Sequence, residues 1–160
     1  MQKLKVYLET TLFNFYVDTA MNFAHENTVA LFGEIASGKY DGYTSAYVLD
    51  ELAQAPEKKR EKMMSLIAQY NISVLSYSDE ASALADIYVA EGVIPLKYRT
   101  DGIHIAIAAV NGLDMIVSMN FQHIVKRKTK LASGSINVLH GYRAVEIYTP
   151  MEVIENEDNQ

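Results

Sequence analysis

Segments of helical period alternate with segments of strand period along the chain, and this alternation most narrows what the chain can fold into. Residues 3–8 alternate lysine with Leu, Val and Leu around a tyrosine, the pattern of a short strand, and Glu9-Thr10-Thr11 stand where it ends. Residues 13–35 read as a short helix and a longer one, with Val29, Phe32 and Ile35 spaced by three and Ser37-Gly38-Lys39 closing the second. A turn at Tyr40-Asp41-Gly42 leads into a strand over 43–47, and residues 48–53 resume a helical pattern. Pro56 opens the next helix, whose apolar Met63, Met64, Ile67 and Ala68 fall on one face. A short strand follows at 72–75. Ser78 or Asp79 then caps a helix over 81–91 that closes at Gly92. Thr100 is placed to cap a helix over 101–110, ending at Asn111-Gly112. Residues 114–118 form a buried-type strand with an acid at its start and a hydroxyl at its end, and 145–148 form the last ordered element. Such alternation is how parallel strands are joined through helical crossovers, so the expectation is an α/β domain with a mainly parallel sheet.

The 160 residues are the size of one domain, and no repeat or interdomain linker divides them. Residues 155–160 read as an acidic, frayed tail. The absence of cysteine excludes disulfides, thiolate metal sites and cysteine nucleophiles, so a metal would need oxygen or imidazole ligands. A net charge of −6 argues against a nucleic-acid binder that works by overall basicity. It is compatible with a nuclease, because a carboxylate site is itself acidic and local basic runs can steer a phosphate backbone. Two such runs exist, at 58–62 and 126–130, and each also reads as an ordinary solvated helix face. The opening residues lack a signal-peptide pattern and no window approaches the roughly 18 apolar residues of a membrane span, so the expectation is a cytoplasmic protein.

In an open α/β sheet, ligands bind beyond the carboxyl ends of the strands. Glu9 follows the first strand, Ser118 and Asn120 follow the strand at 114–118, and Glu51 and Asp101 lie on helices that follow other connections. Converging carboxylates repel unless a cation compensates them, and hard oxygen ligands select Mg²⁺ or Mn²⁺. Each residue also has a plain structural reading. Glu9 and Asp101 suit the positive end of a helix, Glu51 suits an exposed helix face, Asn120 suits a turn, and His104 and His123 suit hydrogen-bonded core positions.

The combination resembles the PIN-domain family. The run 6–16, Val-Tyr-Leu-Glu-Thr-Thr-Leu-Phe-Asn-Phe-Tyr, resembles the family's opening strand with its acid and following Thr or Ser. Residues 44–52 resemble the segment with the second acid, 101–109 the third-acid helix, and 112–124 the strand and loop of the fourth position. The match covers roughly residues 4 to 154, which makes 1–154 a single PIN-like domain. The resemblance implies a three-layer α/β/α fold and Mg²⁺- or Mn²⁺-dependent hydrolysis of RNA, with many members acting as VapC-like toxins paired with an antitoxin protein. By position, Glu9, Glu51 and Asp101 would be metal ligands and, with Asn120, the catalytic set. Thr10, His104, Ser118 and His123 would support them.

The chain departs from the pattern at two positions. Glu9 stands where the family usually has aspartate, and neutral Asn120 where a fourth acid is common; one fewer charge weakens the hold on a hard cation. The alternative is therefore a PIN-like module that has lost catalysis and binds protein or RNA. An aspartyl-phosphate phosphatase ranks last, since it needs an aspartate where Glu9 stands. The Tyr-rich and Met-rich helices offer apolar surface that either a homodimer or a well-filled core would cover.

Overall fold

The computed structural model describes residues 2–155. Its five strands form one all-parallel sheet, in the order β3-β2-β1-β4-β5. β1 (Leu4–Leu8) lies at the centre, between β2 (Tyr40–Ser45) and β4 (Met115–Val117), with β3 (Ser73–Leu75) and β5 (Glu146–Tyr148) outside them. Val6, Tyr7 and Leu8 are fully buried, as expected of a parallel strand covered on both faces. The chain builds outward from β1 to β3, then returns to add β4 on the other side of β1. The strand order thus reverses between β1 and β4, and the crevice beyond their carboxyl ends is the place such a sheet offers a ligand.

Helices cover the sheet: α1 (Thr10–Val17), α2 (Asn22–Ala36), α3 (Ala46–Leu52), α4 (Glu57–Gln69), α5 (Asp79–Ala90), α6 (Arg99–Val110), α7 (Arg127–Leu139) and α8 (Pro150–Val153). α6 is apolar all round and buries every residue from Gly102 to Ala109, so it is a core element rather than a surface helix. None of the helices among the described residues is long and apolar enough to cross a membrane.

Several local expectations change. Tyr40-Asp41-Gly42 is not a turn but the start of β2, in register with Leu4, Lys5 and Val6 of β1. The chain reverses earlier, at Gly38, whose positive φ of 89° only glycine adopts readily. A Cβ at Gly42 would stand 3.2 Å from Ile35 Cγ2, so that glycine allows a helix to press on the strand. Thr100 does not cap α6, because a 3₁₀ turn over Leu96–Tyr98 leads straight into a backbone already helical at Arg99. On α4 the buried pair is Met63 and Leu66, and Ala68 is exposed. α7 and α8 were not read from the sequence as elements of their own. Of the tail expected over 155–160, Glu155 is tied to the domain by its backbone N–H to Glu34 and its carboxylate to Lys39, and the rest lies outside the described residues.

Candidate active site

Glu9 continues β1 by one residue, its N–H donating to Val117 O of β4 at 3.2 Å, and then caps α1. Only 3% exposed, its carboxylate accepts three hydrogen bonds at Oε1, from the Thr11 N–H (3.1 Å), the Thr11 hydroxyl and the Ser118 hydroxyl (2.7 Å). The carboxylate thus folds back over its own helix start, where it satisfies the N–H and the hydroxyl of Thr11. Thr11 Oγ1 in turn accepts from the Met119 N–H, and Ser118 Oγ from the Asn120 N–H, both at 2.9 Å. Asn120 Oδ1 accepts from the His123 N–H at 3.1 Å. One network thus ties the end of β1 to the loop after β4.

A second network begins at Glu51 on α3. Its Oε1 accepts from the Thr10 hydroxyl (2.8 Å) and from His104 Nε2 (2.6 Å) on buried α6. His104 Nδ1 lies 2.8 Å from the Tyr7 hydroxyl, which lies 2.8 Å from Ser45 Oγ, the N-cap of α3. Burial alone would lower the His104 pKa, but the Glu51 hydrogen bond and the charges of Glu9, Glu51 and Asp101 outweigh it and raise the net value. For Glu51 burial works upward, and the His104 and Thr10 contacts overcome it to give a lowered pKa. Burial, with the nearby acids, holds the Tyr7 hydroxyl protonated well beyond its ordinary range. A charged His104 would then donate from both ring nitrogens, with the Tyr7 hydroxyl accepting from Nδ1 and donating a hydrogen bond to Ser45 Oγ.

Asp101, in the first turn of α6, is half-buried between the two networks. Its pKa is raised, chiefly by burial and then by the charge of Glu9, against the opposing pull of His104, His123 and the Asn120 amide. All eight expected residues therefore gather at the carboxyl end of the sheet, although their roles divide. Thr10 points at Glu51, and His123 stacks on Tyr98 at 3.9 Å between ring centres. Thr11, Tyr7 and Ser45 complete the networks and lie outside the set that the sequence motifs mark. The Glu-x-Thr spacing that lets Glu9 cap its own helix was the available signal for Thr11.

Among the described residues, no three acidic or imidazole side chains stand as a ready-made metal cluster. The glutamates turn one oxygen each into the protein. Glu9 Oε2 and Glu51 Oε2 stay out of those networks, Asp101 adds a half-buried carboxylate beside Asn120, and this oxygen donor chemistry fits a hard divalent cation.

No family model and no curated protein matches the sequence. Solved structures do. The structure of VapBC2 from Rickettsia felis, bound to a DNA fragment from their promoter, superposes with a TM-score of 0.56 at 10% identity, over 91% of this chain and 98% of that one. VapC20 of Mycobacterium tuberculosis, described as a Sarcin-Ricin loop cleaving toxin, gives 0.56 and 10% over 88% and 98%. At that identity what is shared is the fold, and the chain has the three-layer α/β/α PIN fold with an all-parallel sheet.

Proposed function

We propose that this chain is a cytoplasmic Mg²⁺- or Mn²⁺-dependent endoribonuclease, the toxin of a toxin and antitoxin pair. The observation that supports the reading is that Glu9, Glu51 and Asp101 all act on buried His104 at the carboxyl ends of β1 and β4, with His123 as a second imidazole near Asp101. The fold shared with VapC20 and VapBC2 supports an RNA substrate and a protein partner. Glu9, Glu51 and Asp101 would hold the cation, which when bound supplies charge to a phosphodiester under in-line attack. Ser118 and the Asn120 loop fix the Glu9 carboxylate, and His104 and Thr10 together fix that of Glu51 through its Oε1. Asp101, beside Asn120, would complete the ligand set from α6.

The test is Mn²⁺ calorimetry together with RNA cleavage by the native chain and by Asp101→Asn. Native protein should bind the ion and cleave, and the variant should lose at least about 100-fold in rate. Equal cleavage by both, or no metal binding by the native chain, overturns the reading. A module that has lost catalysis is favoured by one observation, that Glu9 Oε1 and His104 already satisfy much of the site internally. That module would bind RNA or a protein partner in the same assays without cutting. A homodimer belongs to the proposal as well, supported by the exposed Leu131, Val138 and Leu139 of α7, and light scattering reads it directly.

A further inference from the structure

The loop that leaves β4 is tightly held. Ile124 and Val125 both donate to the Asn120 carbonyl, Thr129 Oγ1 donates to the His123 carbonyl, and Ile124 is fully buried. Such a loop has little freedom to fold its apolar side chains inward, yet Phe121 is 54% exposed. It stands one residue after Asn120 and two before His123. His123 is stacked at 24° to Tyr98, itself 36% exposed and three residues before Asp101. One cation lies over this stack and two more follow the loop in sequence. Lys97 Nζ stands 5.6 Å from the Tyr98 ring centre, and exposed Lys126 and Arg127 close the loop and open α7. Among the described residues none of the three is in an ion pair. In a chain of charge −6, three cations without ion pairs among the described residues, on the segments that carry Tyr98, Phe121 and His123 next to Asp101 and Asn120, are a local exception in charge.

Flat rings with interleaved cations match single-stranded nucleic acid, whose bases stack while its phosphates pair. A purely apolar protein segment would not use the cations, and a duplex would not offer its base faces. We propose that Phe121, beside the Tyr98 and His123 stack, is the platform on which an unpaired RNA base next to the cleaved bond stacks, with Lys97, Lys126 and Arg127 following the backbone. The proposal rests on the ribonuclease reading for the RNA but not for the cutting. The Tyr98 and His123 rings already in contact would pre-order the surface, which lowers the cost of ordering on binding.

The experiment is fluorescence anisotropy of a short single-stranded RNA with the full chain in EDTA, so that binding is read without cleavage. Phe121→Ala should weaken binding about 5- to 100-fold, the range of one stacked base. Phe121→Tyr should restore it, and Phe23→Ala, an exposed aromatic on α2, should leave it unchanged. Moving one abasic residue along the RNA should find a position at which native and Phe121→Ala proteins bind equally. Lys126→Ala should reduce the slope of log affinity against log salt by about 0.7. An unchanged affinity in Phe121→Ala, or a loss that persists at every abasic position, overturns the platform; the persistent loss would mark a structural or protein-docking role. Native protein that binds RNA in this way but does not cut it with Mn²⁺ upholds the platform and ends the nuclease reading. Native protein that cuts RNA while Phe121→Ala binds normally does the reverse.

Discussion

Glu9 and Asp114 lie on neighbouring strands at opposite ends of the sheet, and the two acids live in different chemistry. Asp114 precedes β4 at the amino end, where its carboxylate accepts from the Lys5 N–H at 2.7 Å and pairs with exposed Arg143 at 2.9 Å. Each of its oxygens has one partner, and that local account closes. At the carboxyl end Glu9 is buried and Glu51 and Asp101 are half-buried, and His104, with its pKa raised by their charges, is the buried imidazole among them. Strand polarity explains the contrast. At the amino end a strand N–H and an exposed arginine serve one acid, whereas at the carboxyl end three acids share a few donors around one buried histidine. A site able to recruit a cation is found where local pairing leaves negative charge over.

The largest expected effect tests whether the two acids differ in cost as well as in role. Glu9→Ala leaves the Thr11 N–H, the Thr11 hydroxyl and the Ser118 hydroxyl without their acceptor in a buried place, a loss of about 2–4 kcal/mol. Asp114→Ala removes a part-exposed pair and should cost about 1 kcal/mol or less. Urea unfolding of both variants reads the difference directly, and equal losses would break the comparison. Next in size is Tyr7→Phe, which takes the hydroxyl from between His104 and Ser45 while leaving the ring packed. About 1–2 kcal/mol is expected, and an unchanged urea midpoint would show that the buried link carries no stability.

Those residues also show what was readable beforehand. Period and turn chemistry located the strand ends and helix starts where Glu9, Glu51 and Asp101 stand, but each acid alone also read as structural, and the resemblance to the PIN-domain motifs is what singles them out together. Tyr7 was not, because alternation in β1 marks two faces without saying which histidine will meet one of them, and the contact to His104 spans 97 positions. α7 escaped for a different reason. Its buried stripe is Thr129, Ser133 and Asn137, while Leu131, Val138 and Leu139 face outward, so the apolar period that reveals a helix is inverted. The Asp-Gly pair in β2 carried a true turn signal that pairing with β1 overrode.

A smaller effect follows from His104. Its folded pKa is raised, so the stability it contributes is complete below its unfolded value near 6.5 and is lost as pH rises through the higher folded value. Glu51, with a lowered pKa, contributes above about 4.5 and loses its part as pH falls through the folded value. The metal-free protein should therefore be steadiest between these limits, with Tm falling from neutral towards alkaline pH. His104→Asn should flatten that alkaline fall, and a slope left intact would assign it to another group.

The smallest effect separates repulsion from capping at Asp101. As a first-turn residue of α6, an ionised Asp101 gains about 0.3–1 kcal/mol from the helix dipole, and Asp101→Asn would forfeit most of it. Against this stand burial and the charge of Glu9, which raise its pKa and so make the ionised form costly in the metal-free protein. Asp101 is partly open to solvent, which screens the repulsion, so the net gain on neutralising it should be no more than about 1 kcal/mol, or roughly 2–4 °C in Tm. Calorimetry in EDTA should then show Asp101→Asn melting slightly above the native chain. Adding Mn²⁺ should reverse the order, because the native chain gains binding energy that the variant cannot. A variant that melts lower in EDTA and gains as much from Mn²⁺ as the native chain would make Asp101 a helix-start acid like many others. The carboxyl end would then differ from the Asp114 end only in burial.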